Sequence, residues 1–188
     1  MLINTTSIAF IFLGIGLTFC GWRFFRAFKK SGDQQKGNRI GFLLAMFLFM
    51  FAFQNGIILG LGTLLFANNP KNLFFILILA NLFLALIAMF GVYVAYFIFA
   101  PRSSPLLPIL IIALLSVIIS VITFVDHPQP LINARNGIDW NISFRLSLSV
   151  FYLLLISIGT QFYIFIRLFF LTRIREIKFF HYFYPSSQ

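Results

Sequence analysis

The sequence predicts an all-α fold, a polytopic bundle of five transmembrane helices with the amino terminus outside and the carboxyl terminus inside. Composition comes first: 61% of the 188 residues are hydrophobic, 10% are charged and the mean hydropathy is +0.99, where a soluble domain carries roughly 25% charged residues. A folded chain of this size still exposes about 30% of its unfolded surface, so water cannot be the solvent for so much apolar side chain. The second observation is five uncharged runs of at least 20 residues, at 1–22, 40–70, 72–101, 103–125 and 146–166. Each meets the roughly 20 residues that a helix needs to cross a hydrocarbon core of about 30 Å. The third is charge placement, since 11 of the 14 basic residues fall on one side of the alternating spans. The expected spans lie near 5–25, 41–66, 73–99, 106–125 and 144–170, in a single transmembrane domain over 1–188. Period-2 alternation is absent, which argues against a membrane β-barrel.

The first span has no basic residues before its apolar run and many after it, the pattern of an uncleaved span inserted amino end first. "LTFC" resembles a lipoprotein processing site but puts Phe19 where a small residue is needed, so Cys20 is expected to be an unmodified, buried apolar thiol. As the only cysteine, it has no intrachain disulfide partner. The block "WRFFRAFKKSGDQQKGNR" carries Arg23, Arg26, Lys29, Lys30, Lys36 and Arg39 against Asp33, and so is assigned to the inside. Arg102 in "PRSSP" and Arg167, Arg173, Arg175 and Lys178 then also fall inside, leaving Lys71, Arg135 and Arg145 outside. The net charge of +10 is thus mainly a topology signal. Attraction of the basic inner loops to anionic lipid headgroups is its second effect, and nucleic acid is not an expected partner. "ANNPKN" (67–72) and "APRSSPLLP" (100–108) are tight joints, with Pro105 near the start of the fourth span, where its missing N–H costs least. The tail, 171–188, mixes cations and aromatic rings and is expected along the inner membrane surface.

None of the spans has an ionisable residue in its core, which disfavours a proton-driven pump or ion-coupled transporter. Amides do occur there: Gln54, Asn55, Asn81 and Gln161, the last beside Thr160. They need hydrogen-bond partners where water is missing, so they should face other helices, and they are a candidate polar intramembrane cluster. Gly56 and Gly60 in "GIILG", and Ser116 and Ser120 in "SVIIS", put small residues four apart on one helix face, a spacing that lets backbones approach closely.

The largest external segment, 126–143, holds "DHPQPLINARNGIDWN". Pro128 and Pro130 favour an extended start, Asn136-Gly137 signals a two-residue hairpin turn, Trp140 suits the headgroup region, and Asn141 or Ser143 suits the cap of the last span. Asp126, His127 and Asp139 form a candidate external metal or acid–base site, weaker than a structural flap because HExxH and CxxC spacings are absent and no serine sits in a nucleophile context. Asn4 and Asn141 match the glycosylation acceptor pattern but hug the membrane, and modification is not expected.

This arrangement, amino end out, short joints and a basic helix leaving the fifth span inward, resembles the first five of the seven helices in the membrane input regions of some bacterial sensor histidine kinases. The resemblance covers most of the chain at the level of topology, and no catalytic residue transfers with it. It implies a sensory or ligand-input role. The expected protein is therefore a non-enzymatic integral membrane protein of a bacterial cytoplasmic membrane, serving as an input module or an accessory subunit of a membrane complex. It is expected to carry no metal or cofactor, and its partners are the lipid bilayer and a membrane protein or a second copy of the chain. The alternative is a small transporter or permease component using Gln54, Asn55, Asn81 and Gln161 as a polar path. A third, an enzyme acting on lipid at the outer surface through His127 and its acidic neighbours, has the least support. Convergence of the amides on one cavity would favour the transporter.

Overall fold

The structure, a computed structural model, describes residues 4–30, 35–100, 103–132 and 137–183. Helix α1 is Thr5–Lys30. The second span is built from α2 (Gln35–Ala52), a π-helical segment (Phe53–Leu61) and α3 (Gly62–Phe66). Then come α4 (Pro70–Phe99), α5 (Leu106–Asp126), a hairpin of β1 (Leu131–Ile132) and β2 (Ile138–Asp139), and α6 (Phe144–Phe183). Five helical stretches are long and apolar enough to cross a membrane: Thr5–Arg26, Arg39–Phe66, Pro70–Ile98, Leu106–Asp126 and Phe144–Tyr163. The chain is an all-α bundle of the construction expected of an integral membrane protein. Large apolar side chains such as Phe12, Leu65, Phe75, Leu114 and Phe151 point away from it, and so does Cys20, which was expected to be buried and instead lies on the outward face of α1. At its full 40 residues, α6 is about 60 Å long, twice the hydrocarbon thickness, so the segment from 171 to 183 continues as helix beyond the span.

Local chemistry sets the helix ends. Pro70 opens α4, and the Asn69 side chain caps it by accepting from the Lys71 N–H at 3.1 Å and the Asn72 N–H at 3.3 Å. Pro105 precedes α5, where the Ser104 hydroxyl accepts from the Leu106 N–H. His127 closes α5 in the left-handed region (φ 41°, ψ 57°) and donates its N–H to the Thr123 carbonyl at 3.2 Å. Ser143 caps α6, accepting from the Leu146 N–H at 3.2 Å, while its hydroxyl donates to the Asp126 carboxylate.

Helix α4 is the most buried span and contacts the second span, α5 and α6. Ala85, Ala88 and Val92 of α4 meet Ile112 and Ile119 of α5 and Leu146 and Leu153 of α6 in one core. A second core joins Ile58 of the π segment, Leu73, Ile76 and Ala80 of α4, and Ile138 of β2, with Trp140 packed on it. The spans alternate in direction. Gln54 meets Ala80 and Gly62 meets Ile76, so the second span and α4 run antiparallel. Ser157 meets Ala88 and Gln161 meets Gly91, so α4 and α6 run parallel. The described segments carrying ten of the 11 basic residues therefore share one end of the bundle and the hairpin occupies the other.

The hairpin corrects one expectation. Leu131 pairs with Asp139 and Ile132 with Ile138, so five residues, 133–137, connect the strands rather than a two-residue turn at Asn136-Gly137. Asn136 lies outside the described residues, as do the inner-joint residue Arg102 and the end of the tail, 184–188. Register is set by tertiary contact. Ile138 is buried in the second core and its N–H donates to Thr6 Oγ1 at 3.0 Å, which fixes β2 independently of the turn.

Candidate functional site

Two kinds of polar or small residue were singled out by the sequence, and the structure treats them differently. At the crossing of α1 with the second span the two backbones nearly touch. A Cβ added at Gly14 would lie 2.5 Å from Gly56 Cα and 3.2 Å from the Ala52 carbonyl. One added at Gly60 would lie 2.7 Å from Ile11 Cγ1 and 3.1 Å from the Ile11 nitrogen, and one at Gly21 would lie 3.0 Å from the Phe49 ring. Gly56 and Gly60 are thus the side of the crossing visible in "GIILG", while Gly14 and Gly21, seven apart on α1, went unremarked in the sequence. Both lie on the face toward the second span, whereas Gly16 has nothing within 4 Å of its added Cβ.

The same interface ends in a buried polar cluster that sequence reasoning also missed. Asn4 caps α1, its side-chain oxygen accepting from the Ser7 N–H and the Ser7 hydroxyl, both at 2.6 Å. Its amide donates to the Thr63 carbonyl at 3.2 Å, and Ser7 Oγ lies 2.7 Å from Thr63 Oγ1. Asn4, Ser7 and Thr63 are at most 1% exposed, which closes the "NTT" acceptor pattern to modification. The available signal was Asn4 followed three residues later by Ser7 at the start of an apolar run.

The four intramembrane amides do not meet in one cavity. Gln54 Nε2 donates to the Ala80 carbonyl of α4 at 2.9 Å. Asn55 Nδ2 donates to the Phe51 carbonyl of its own span, also at 2.9 Å. Asn81 Nδ2 is buried without a partner among the described residues. Gln161 Nε2 donates to Ser157 Oγ at 3.2 Å, and Ser157 Oγ in turn to the Ala88 carbonyl at 3.4 Å. Gln161 lies beside Gly91, ten residues along α4 from Asn81, an axial separation of about 15 Å. Among the described residues, three of the best-formed surface crevices include one lined by an amide of this set, Gln161, and two lined by none of them. Gln54 and Asn55 open the π-helical segment, whose wider turns present both side chains to the bundle interior. Ser116 and Ser120 donate to carbonyls of their own helix, those of Ala113 and Ser116, at 2.7 and 2.8 Å, and line a groove with Leu82.

At the hairpin end, Asp126, His127 and Asp139 are each engaged separately. Asp126 accepts from Ser143, the His127 ring packs tilted at 47° against Phe74 with centroids 4.3 Å apart, and Asp139 Oδ1 accepts from the Asn141 N–H at 3.0 Å. Among the described residues no three His, Cys, Asp or Glu side chains gather into a ligand set. Asn141 holds a left-handed backbone (φ 45°) and Ser143, not Asn141, is the cap of α6. Trp140, expected at headgroup depth, is half-buried against the second core. The hairpin thus ties Thr6 to the start of α4 at one end of the bundle, where His127, the cap of α5, also packs on Phe74. Compared with known protein families, curated proteins and solved structures, the chain matches none, and its role is read from this geometry.

Proposed function

We propose that the chain is a non-catalytic, multi-pass membrane protein that works as an input module or accessory subunit of a larger membrane complex. Its amino terminus and hairpin face outward, and its basic end faces inward. The observation that carries this reading is the dispersal of the intramembrane amides. Gln54 bonds across to the Ala80 carbonyl of α4, Asn55 bonds within its own span, and Gln161, apart from both, bonds to Ser157, which in turn bonds across to the Ala88 carbonyl. A solute path needs polar groups in line along a cavity, whereas interhelical bonds of about 0.6 kcal/mol each serve to fix how helices pack. The engagement of Asp126, His127 and Asp139 in caps and turns supports a structural role for the hairpin in the same way. Orientation rests on the clustering of 11 basic residues at one end, by the positive-inside rule.

Two measurements test the proposal. After reconstitution of the purified chain alone into vesicles, ion and small-solute flux should stay at the level of empty vesicles, while cross-linking in intact cells before mild-detergent extraction should trap it in a heteromeric assembly. A saturable solute flux by the chain alone would assign the amides to a transporter instead. For orientation, Cys20→Ser provides a background without thiols, and a cysteine placed at Ser31 should react only after the membrane is permeabilised. Labelling from outside would reverse the topology.

A further inference from the structure

A crevice of about 580 Å³ opens between the second span, α4 and α6, with Leu44, Phe47, Gly91, Ala95, Ile158 and Gln161 among its walls. This is within the range of about 300–1,000 Å³ typical of small-ligand sites. Gly91 forms the floor, where an added Cβ would lie 2.8 Å from both Phe47 Cε2 and Gln161 Nε2. Gln161 is the one polar side chain in an otherwise apolar lining. One of its N–H groups donates to Ser157, and its remaining donor and acceptor capacity has no partner among the described residues. In hydrocarbon such capacity is costly to leave unused.

Position adds the second half of the chemistry. Ile40 and Ile98 line the crevice close to the basic end of their spans, and Arg39, exposed, immediately precedes Ile40. Arg26 and Lys29 of α1 lie over the Trp22 and Phe25 rings at 5.4 and 5.3 Å. The segments meeting at this end carry 11 cations against two acids, Asp33 and Glu176. An apolar slot, an amide near the end of its span and a surplus of positive charge beside the mouth are the features that an anionic amphiphile of the adjoining leaflet would match.

We propose that this crevice binds one anionic phospholipid: the phosphate sits at the mouth by Arg39, an ester oxygen accepts from the Gln161 amide, and an acyl chain continues past Gly91 against Phe47 and Ile158. Occupancy requires no partner protein, so the site stands or falls apart from the subunit role. The test is native mass spectrometry of the protein released from neutral detergent after incubation with phosphatidylglycerol or phosphatidylcholine. Wild type should retain one phosphatidylglycerol in preference to phosphatidylcholine. Ile158 is 61% exposed on the crevice wall, so Ile158→Trp fills the slot from a position that the fold tolerates. It should abolish the retained lipid with the unfolding midpoint unchanged. Arg39→Gln should lower the phosphatidylglycerol preference by roughly fivefold, the weight of about one surface cation. Equal retention of the two lipids by wild type, or a full phosphatidylglycerol preference in a folded Ile158→Trp protein, would overturn the proposal and leave the crevice to bulk lipid or a protein partner. Should Ile158→Trp fail to fold, Arg39→Gln at its exposed position decides: an undiminished preference overturns the site and a diminished one supports it.

Discussion

The pair formed by α1 and the second span and the trio α4–α5–α6 are both apolar helices packed side by side, yet they are joined differently. In the pair, Gly14, Gly56 and Gly60 remove side chains from the contact, the backbones come within van der Waals distance, and the Asn4–Ser7–Thr63 cluster closes one end. In the trio, Ala85, Ala88 and Val92 make room for Ile112, Ile119, Leu146 and Leu153, and the hydrogen bonds described between the helices are Ser157 to Ala88 and, at the helix ends, Ser143 to Asp126. The difference follows from the solvent. Lipid tails are as apolar as leucine, so burial of leucine against leucine gains little, and association relies on close packing and on hydrogen bonds. The glycine crossing has no tolerance for added atoms, whereas the alkyl core can redistribute them.

Four substitutions break or sharpen that contrast. Gly60→Leu should have the largest effect, about 3 kcal/mol at the upper end of typical overpacking, because its Cβ alone meets the Ile11 backbone at 3.1 Å. It would show as loss of the folded band or a large drop in the unfolding midpoint in detergent. Leu153→Ala, at a position with no exposure in the trio, should cost about 2 kcal/mol, the low end for a buried leucine, because the cavity term remains while the transfer term is small in lipid. Asn4→Ala removes the α1 cap and strands the Thr63 carbonyl, for about 1 kcal/mol. A matching loss of hydrogen-exchange protection at the start of α1 would locate the effect. His127→Gln should be smallest, about 0.5–1 kcal/mol, for the lost ring contact with Phe74. Abolition of biological activity by a folded His127→Gln protein would instead revive an external acid–base site.

The spans were legible because hydropathy and charge act over twenty residues at a time, and the glycines of "GIILG" because their spacing is local. What was not legible depends on partners. Gly14 and Gly16 are two residues apart and equivalent on paper, and only the arrival of Gly56 distinguishes them. The π segment has no residue signature, since its wider hydrogen-bond ring is a property of the packed backbone. Gln54, Asn55, Asn81 and Gln161 were expected to find partners on other helices, but Asn55 bonds within its own span and Asn81 Nδ2 has no partner among the described residues, and periodicity does not say which outcome each amide meets. The hairpin turn was misplaced for a similar reason: Asn136-Gly137 is a strong local signal, and burial of Ile138 with its bond to Thr6 outweighs it.

The claim on which this account rests most is that backbone contact at Gly14, rather than glycine in general, holds α1 to the second span. Thermal unfolding of Gly14→Ala and Gly16→Ala, purified side by side in one detergent, tests it directly, since each adds one methyl group to the same helix. Gly14→Ala should lose about 1–3 kcal/mol, because its methyl falls 2.5 Å from Gly56 Cα. Gly16→Ala should be unchanged or slightly more stable, by the helix propensity of alanine over glycine, roughly 1 kcal/mol at most. Equal midpoints for the two variants, or a larger loss at Gly16, would contradict the crossing.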